Sequence, residues 1–180
     1  MGNLHAPIPV KLFLRMISRE PGLFAECTRL FAQVFGPVDI VSSVTPWDHS
    51  EYYREEMGTG LLRRFIFFEP LVDPELLAAA KHQAIMIESS FSEPAATADR
   101  RRINLDPGYL TEAKVVLATT KDFPHRIYIG RSIYAESTLH YHKGSRSYQP
   151  VEHTYPDFRT EYSLKLFNGA RDVLRSRLRR

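Results

Sequence analysis

The sequence predicts an α+β protein, in which a ferredoxin-like βαββαβ antiparallel sheet is extended by a C-terminal β-hairpin and a helix. Strand and helix patterns follow one another in that order over residues 1–105. The third strand pattern is apolar on both faces, so both faces of the sheet must be covered. With 43% hydrophobic residues, the chain can build such a core. We therefore expect a single domain, 1–180, in which residues 106–180 pack on a ferredoxin-like unit formed by 1–105.

The first third of the chain carries distinct helix boundaries. Pro21 suits the first helical position, an apolar stripe follows it, and Gly36 ends the pattern. A capping-box pattern at residues 48–51 begins a second, shorter helix. The predicted elements here are a strand over 10–17, a helix over 21–35, a strand over 38–45 and a short helix that ends at Gly58.

The middle of the chain predicts the strand that fixes the layer arrangement. Phe65 and Phe67 face one way from this strand, and Ile66 and Phe68 face the other. The Asp-Pro pair at residues 73–74 supplies an N-cap and a first helical residue. The predicted elements are a strand over 61–72, a helix from 74 to about 91, a flexible loop over 92–100 and a fourth strand over 101–105.

Local turn signals shape the prediction for the C-terminal part. The Pro107-Gly108 pair is interpreted as a turn that ends the fourth strand. Gly130-Arg131 fits a two-residue hairpin turn with glycine first. The predicted elements are a short helix over 111–120, a hairpin over 125–141 and a closing helix over 160–179.

The distribution of charge argues against a nucleic-acid partner. The net charge is +3 and the pI is about 9.0. The last ten residues contain five arginines and one aspartate, a net of +4, so the other 170 residues sum to −1. The basic character therefore belongs to one tail and does not cover a face of the fold.

Cysteine usage and hydropathy predict a cytoplasmic protein with no membrane contact. Cys27 is the single cysteine, which excludes an intramolecular disulfide and fits a reducing compartment. The N-terminal residues lack the apolar segment of a signal peptide, and the sequence contains no run of 18 apolar residues. These features leave the oligomeric state open.

Common cofactor and metal motifs are absent from the sequence. It contains no P-loop, no GxGxxG, no GxSxG, no CxxC and no HExxH pattern. His140 and His142 would share one strand face, but no third ligand accompanies them. The sequence therefore names no cofactor and predicts no metal site.

The first of three candidate polar clusters lies where the fourth strand is predicted to end. Asp106 is a candidate for acid-base chemistry, and Asn104 and Tyr109 are candidates to orient a ligand. Residues 104 and 106 share one face of a strand. We expect the carboxylate of Asp106 to face cations of the 119–126 segment, so that Asp106→Asn lowers ligand affinity more than stability. The alternative is a structural turn with a packed tyrosine.

The second cluster is a polar segment between two predicted elements, where functional loops are common. Lysine, histidine and arginine close to hydroxyls favour binding of a phosphate or carboxylate. Asp122 could orient His125 as a general base, and Glu136 is a further acid-base candidate. The alternative is a solvated turn. The candidate residues of this segment are Thr119, Thr120, Lys121, Asp122, His125 and Arg126.

The third cluster precedes the closing helix. Tyr155, Asp157 and Arg159 are candidate ligand-binding residues. The alternative is that Asp157 or Thr160 serves as the helix N-cap.

Several motifs resemble one uncharacterised prokaryotic family. The strings NLDPGYL, LATTKD, HRIYIG, IYAE and TYPDFRT occur in this order between residues 104 and 160. Together with PVKLF, FGPVD, DHSEYYREEMG and LVDPELL, they resemble the domain-of-unknown-function family numbered 4416. Ser137 and His140 depart from its pattern. Members sometimes carry a GTP-binding label, but this chain has TTKD in place of the guanine-binding NKxD motif.

These observations favour binding of an anionic small molecule. We expect an enzyme or a binding protein for a phosphorylated or carboxylated metabolite or a nucleotide. The alternative is a non-catalytic module that binds a protein or RNA. A deep pocket lined by the polar clusters would favour the first hypothesis, and a flat surface there would favour the second.

Overall fold

A computed structural model of the chain describes residues 2–47, 56–92 and 101–179. Most of the predicted short helix that ends at Gly58, and nearly all of the predicted 92–100 loop, lie outside these ranges. The strands are β1 Val10–Ser18, β2 Val38–Val41, β3 Thr45–Pro46, β4 Leu62–Val72, β5 Ile103–Leu110, β6 Lys114–Thr119, β7 Ile127–Gly130, β8 Ile133–His142 and β9 Ser147–Pro150. The helices are α1 Pro21–Phe35, α2 Leu76–Phe91 and α3 Glu161–Leu178, with a 3₁₀ turn at Pro156–Phe158.

The described strands form one antiparallel sheet of nine strands. Its order is β2-β4-β1-β5-β6-β8-β7, with β3 paired to β4 and β9 paired to β8. The α+β class is confirmed. The sheet is larger than the four strands of a ferredoxin-like unit, because β6 to β9 continue it beyond β5. The boundary expected after residue 105 falls inside β5.

Helices cover both faces of the sheet, as the apolar pattern of the third long strand predicts. Ile66 and Phe68 of β4 pack in the core beneath α1 and α2, where Cys27 is also buried. Phe65 and Phe67 pack on the other face, against Phe167 and other apolar residues of α3. The C-terminal helix therefore supplies the second layer.

The Pro107-Gly108 pair does not form a turn, and this prediction is wrong. Both residues lie inside β5, opposite Leu14 and Phe13 of β1. A Cβ atom on Gly108 would lie 2.3 Å from Phe13 Cζ and 2.4 Å from the Val116 carbonyl oxygen. The glycine is thus required by the close approach of two strands, a role that a local turn signal does not reveal.

The short helix predicted over 111–120 is also wrong. Thr111 Oγ1 accepts hydrogen bonds from the backbone N–H groups of Ala113 and Lys114, at 3.1 and 3.0 Å, and turns the chain back. Residues 115–118 then lie buried in β6. The apolar run Val115-Val116-Leu117-Ala118 is buried on both faces of the sheet, so tertiary packing overrides the helix-forming residues before it.

Three features of the strands differ from the prediction. The hairpin of β7 and β8 is present, but Gly130 pairs with Ile133 and the turn is Arg131-Ser132, with φ values of 55° and 60°. Two positive φ values fit the right-handed twist of a two-residue hairpin turn. The strand expected over 38–45 is divided into β2 and β3. Strand β9 was not predicted.

The N-cap proposed at Thr160 is confirmed, and the N-cap predicted at Asp73 is wrong. Thr160 is the N-cap of α3, and its Oγ1 accepts a hydrogen bond from Ser163 N at 3.2 Å. Residue 75 precedes α2 directly, and Asp73 instead accepts from the Glu75 N–H at 2.9 Å. Asp73 therefore orders the turn before the helix and does not cap it.

Arginines of the basic tail are paired within the chain. Arg175 Nε lies 3.2 Å from Glu112 Oε2, and Arg177 Nη2 lies 3.2 Å from Asp39 Oδ2. The positive charge of α3 is therefore partly offset by acidic side chains of the sheet. Within the described residues, no helix combines the length and the apolar character that crossing a membrane requires.

The pairing of β5 and β6 stops part-way and leaves a gap, called here the β5–β6 split. Strand β5 pairs with β1 along its whole length, but with β6 over Gly108–Leu110. Beyond Leu117, β6 continues in register with β8 on its other edge. Pro107, which has no N–H to donate to a neighbouring strand, lies where the separation begins.

We predict that Gly108→Ala destabilises the protein by about 1–3 kcal/mol, because the new methyl group must displace the ring of Phe13 or the backbone of β6. Gly169→Ala is the matched control, since nothing lies within 4 Å of its added Cβ. Urea denaturation measures both, and the control should gain up to about 1 kcal/mol as helix propensity rises. An unchanged midpoint for Gly108→Ala would show that β5 and β6 do not approach closely.

Candidate functional site

A polar cavity of about 410 Å³ lies at the β5–β6 split. Helix α2 and strand β5 form one side, and the end of β6 forms the other. The lining residues are Arg15, Glu56, Lys81, Ile85, Glu88, Ser89, Ser92, Arg101, Asn104, Asp106, Leu117, Ala118, Thr119, Thr120, Lys121 and Tyr155. The cavity therefore combines two of the three polar clusters with one residue of the third.

A buried arginine fixes the floor of this cavity. The register of β1 and β5 places Arg15 opposite Asp106. Arg15 Nη2 donates to Asp106 Oδ2 at 2.7 Å, and Nε donates to the same oxygen at 3.3 Å. Its Nη1 lies 3.1 Å from both carboxylate oxygens of Asp157. Arg15 is 1% exposed, so two carboxylates balance a charge that has almost no contact with solvent.

Asp106 is held as a carboxylate by further donors. Lys81 Nζ lies 3.1 Å from Asp106 Oδ1, and Asn104 Nδ2 lies 2.6 Å from Oδ2. Burial would raise the pKa of Asp106, but the charges and hydrogen bonds of Lys81 and Arg15 outweigh it and hold the pKa below its ordinary value. Asp106 therefore stays ionised, which suits electrostatic positioning of cations better than proton transfer.

Asp157 belongs to the same ion-pair network and does not line the cavity. Arg63 Nη1 donates to the Asp157 carbonyl oxygen at 2.8 Å and lies 3.5 Å from its carboxylate. The 3₁₀ turn that contains Asp157 is thereby fixed to β1 and β4. We assign Asp157 a structural contact with Arg15 in place of the direct ligand contact that the sequence suggests.

Glu88 of α2 is a cavity residue that the sequence analysis missed. Its Oε1 accepts a hydrogen bond from Leu105 N at 2.5 Å. Burial raises the pKa of Glu88, although the charges of Lys81 and Arg101 oppose the shift. This carboxyl group is thus the acid-base candidate that the cavity offers, in contrast to the firmly ionised Asp106.

A second group of contacts surrounds Glu136 beside the cavity. Arg126 Nε donates to Glu136 Oε2 at 2.7 Å, and His125 Nε2 lies 3.1 Å from the same oxygen. The carboxylate that holds His125 is therefore Glu136, and not Asp122 as the sequence suggests. The ring of His125 also stacks on His153, with centroids 3.9 Å apart.

Tyr155 connects this second group to the cavity. Its hydroxyl oxygen accepts a hydrogen bond from Arg126 Nη2 at 2.9 Å. Its ring lies 5.2 Å from Arg15 Cζ, within the range of a cation–π contact. Burial and the nearby Glu136 raise the pKa of Tyr155, so the phenol keeps its proton. His125, Arg126 and Glu136 thus affect the cavity through the position of this ring.

The family described as Domain of unknown function (DUF4416) matches residues 8–173. The protein belongs to the DUF4416 family. The resemblance predicted from its motifs is thereby confirmed. No curated protein and no solved structure matches the chain.

Six of the predicted site residues line the cavity of this DUF4416 domain. They are Asn104, Asp106, Thr119, Thr120, Lys121 and Tyr155. Tyr109 instead lines an apolar groove beside Leu174 and Leu178. Arg159 donates to the carbonyl oxygens of Thr154, Val151 and Glu152 at 2.8, 2.9 and 2.8 Å, so it stabilises the preceding loop. The remaining predicted residues lie outside the cavity lining.

The cationic residues Arg15 and Lys81 and the acidic Glu88 had a signal in the sequence. Arg15 interrupts an apolar strand pattern, which marks a buried charge that needs a partner. Lys81, Ile85, Glu88 and Ser89 recur at helical spacing and form one stripe of α2, and Ser92 follows directly after the helix. Polar residues on a face that packs toward the sheet indicate a lined cavity.

The described residues place no group of three His, Cys, Asp or Glu side chains close enough to hold a metal ion. His140 of β8 lies 2.8 Å from Ser137 Oγ.

We predict that Asp106→Asn lowers the free energy of unfolding by about 3–5 kcal/mol at pH 7, because it leaves the buried Lys81 without its carboxylate partner and leaves Arg15 with Asp157 alone. The structure thus replaces the expectation that this substitution costs little stability. The unfolded chain protonates Asp106 near pH 4, whereas the folded protein does so at lower pH. The stabilisation is therefore complete above about pH 5 and is lost as the pH falls through the folded pKa.

Urea denaturation between pH 7 and pH 3 measures this difference. The difference in free energy of unfolding between wild type and Asp106→Asn should become smaller as the pH falls. The control Asp172→Asn changes an exposed residue, and its free energy of unfolding should equal that of wild type at every pH. A gap that stays constant down to pH 3 would show that Asp106 is not a stabilising carboxylate.

Proposed function

We propose that this protein binds a phosphorylated small molecule in the cavity at the β5–β6 split. The observation that supports this is an excess of positive charge on the cavity wall. Among the described residues that line it, four cationic side chains accompany the three carboxylates of Glu56, Glu88 and Asp106. The cationic residues are Arg15, Lys81, Arg101 and Lys121. Burial raises the pKa of Glu88, which favours its protonated form. The net charge of the cavity lining becomes more positive when Glu88 is protonated.

The cations differ in how deeply they lie. Lys81 Nζ lies on the floor of the cavity. It donates hydrogen bonds to Leu105 O at 2.8 Å and to Asp106 Oδ1 at 3.1 Å, which uses two of its three N–H groups. Lys121 is exposed two residues after β6, and Arg101, two residues before β5, has its Nη2 3.2 Å from Glu56 Oε1. An anion that enters the cavity therefore meets charge at its rim before it reaches the floor, which favours capture of a charged ligand.

Neutral donors complete a surface suited to phosphate oxygens. The hydroxyl groups of Thr119, Thr120 and Ser89 lie on the wall. A phosphate group accepts several hydrogen bonds, and hydroxyl donors beside lysine and arginine are its usual partners. The cavity volume of about 410 Å³ falls within the range of small-molecule sites, roughly 300–1,000 Å³. A metabolite or nucleotide of moderate size would fill it.

The alternative, a non-catalytic module that binds a protein or RNA, makes a different demand on this region. It predicts a flat surface at the polar clusters, whereas six of their residues line a concave cavity. The paired arginines Arg175 and Arg177 also favour the small-molecule hypothesis, because part of the basic tail already has acidic partners.

Three broader expectations belong to the same proposal. We interpret β2, β4, β1 and β5, with α1 and α2 on one face, as the ferredoxin-like unit within the larger sheet, and their order supports this. A prokaryotic origin rests on the family motifs. A cytoplasmic location rests on the single buried Cys27.

We predict that phosphorylated compounds raise the melting temperature and that Lys121→Gln weakens their binding about tenfold, because a charge-assisted hydrogen bond contributes about 1.5 kcal/mol or more. Differential scanning fluorimetry with inorganic phosphate, ribose 5-phosphate and nucleoside monophosphates measures the shift. Lys143→Gln is the matched control, since Lys143 is an exposed lysine in the turn between β8 and β9.

Two results would contradict the proposal. One is the absence of any stabilising shift with all of these compounds. The other is an equal loss of affinity in Lys121→Gln and Lys143→Gln, which would indicate a general effect of net charge instead of a defined site.

A further inference from the structure

One oxygen of a buried carboxyl group faces the cavity without a protein partner. Glu88 is 9% exposed, and its Oε1 accepts the hydrogen bond from Leu105 N at 2.5 Å. No side chain or backbone group in residues 2–47, 56–92 and 101–179 donates to its Oε2. Glu88 lines the cavity, so a bound molecule is the partner that this oxygen can acquire.

Oε2 is the oxygen of this carboxyl group that a ligand can reach. It is not among the described side-chain atoms that are fully buried without a hydrogen-bond partner, so it keeps contact with the cavity. A ligand donor would replace solvent at this oxygen and give it a partner inside the protein, as buried carboxyl groups usually have.

The surrounding charges select the kind of donor. Lys81 and Arg101 are the cations whose charges act on Glu88. A ligand ammonium group would be repelled by both, and by the net positive charge of the whole cavity. A neutral O–H or N–H donor meets no such repulsion and satisfies the same oxygen.

The position of Glu88 relative to the β6 end sets a minimum size for the ligand. Glu88 lines the cavity from α2, and Thr119, Thr120 and Lys121 line it from the end of β6 and the residues that follow. A cavity of about 410 Å³ is larger than a bare phosphate ion requires. A molecule that uses both sides therefore has a phosphate at one end and a separate donor at the other.

We propose that the ligand is a phosphate monoester with a neutral hydroxyl or ring N–H group, and that this group donates a hydrogen bond to Glu88 Oε2. This inference rests on the proposed phosphate site. Phosphorylated sugars and nucleotides share this chemistry. Sugar phosphates offer hydroxyl donors, and nucleotides offer ring or amino N–H donors in addition.

Glu88→Gln tests the proposal with little disturbance of the fold. The glutamine keeps an oxygen for the Leu105 N–H and replaces the facing oxygen with an NH₂ group, which cannot accept a hydrogen bond. Isothermal titration calorimetry compares inorganic phosphate, ribose 5-phosphate and adenosine and guanosine 5′-monophosphates on wild type, Glu88→Gln and the control Glu75→Gln. Glu75 is an exposed residue directly before α2.

We expect Glu88→Gln to weaken the binding of a phosphate ester and not that of inorganic phosphate. At least one ester binds wild type more tightly than inorganic phosphate, and Glu88→Gln weakens that ester about tenfold or more. Inorganic phosphate binds the variant equally well or more tightly, because a negative charge has been removed from the cavity. Tighter binding of ribose 5-phosphate identifies hydroxyl donors, and tighter binding of a nucleotide alone identifies the base.

Other outcomes overturn the inference and locate the failure. If no probe binds wild type, the proposed function and this inference are both wrong. If phosphate and its esters bind wild type equally, or Glu88→Gln weakens none of them or all of them alike, the inference alone is wrong. Wild-type discrimination between phosphate and its esters is measured without any variant, so poor folding of Glu88→Gln would not remove the test.

Discussion

The contact between Arg15 and Asp106 is the interaction on which the rest of this structure depends. Arg15 lies in β1 between Leu14 and Met16, both fully buried, so its charge requires partners inside the protein. Asp106 supplies one from β5, and Asp157 supplies another from the 3₁₀ turn. Each contact fixes an element: a shift of β1 against β5 by one residue would leave buried charges unpaired, and the penalty for such charges makes the register specific.

The same network brings together unequal numbers of positive and negative side chains beside the cavity. Arg15, Arg63 and Lys81 contribute three positive charges, and Asp106 and Asp157 contribute two negative charges. The two carboxylates form ion pairs with all three cations but do not cancel their charge completely. This network therefore has a small positive excess, and the anion site proposed above shares Arg15, Lys81 and Asp106 with it. This sharing is typical of functional sites, where groups with perturbed pKa values cluster.

Predictions from the sequence succeeded where the deciding interactions are local. The helix over 21–35 matches α1 at both ends, because a proline and a glycine determine its boundaries. The turn predicted at Pro107-Gly108 is wrong because the same dipeptide occurs in turns and in close contacts between strands. Here the close contact is with Phe13, which is far away in the chain. The pattern of β1 indicates that Arg15 is a buried charge, but it does not identify the partner, because Asp106 is 91 positions away. Five of the six predicted residues that line the cavity belong to the LATTKD and NLDPGYL motifs, which can be recognised locally, and Tyr155 belongs to TYPDFRT.

The extension of the sheet beyond β5 creates the site. A sheet that ended at β5 would leave its edge open to solvent, with Asn104 and Asp106 at the surface. Strand β6 instead pairs with β5 over three residues and then continues with β8, so the two strands separate next to the buried Arg15. Lys81 can then reach from α2 to Asp106 and the Leu105 carbonyl group through the gap. The cavity is therefore a product of the junction between the first strands and the C-terminal strands, and neither part alone contains it.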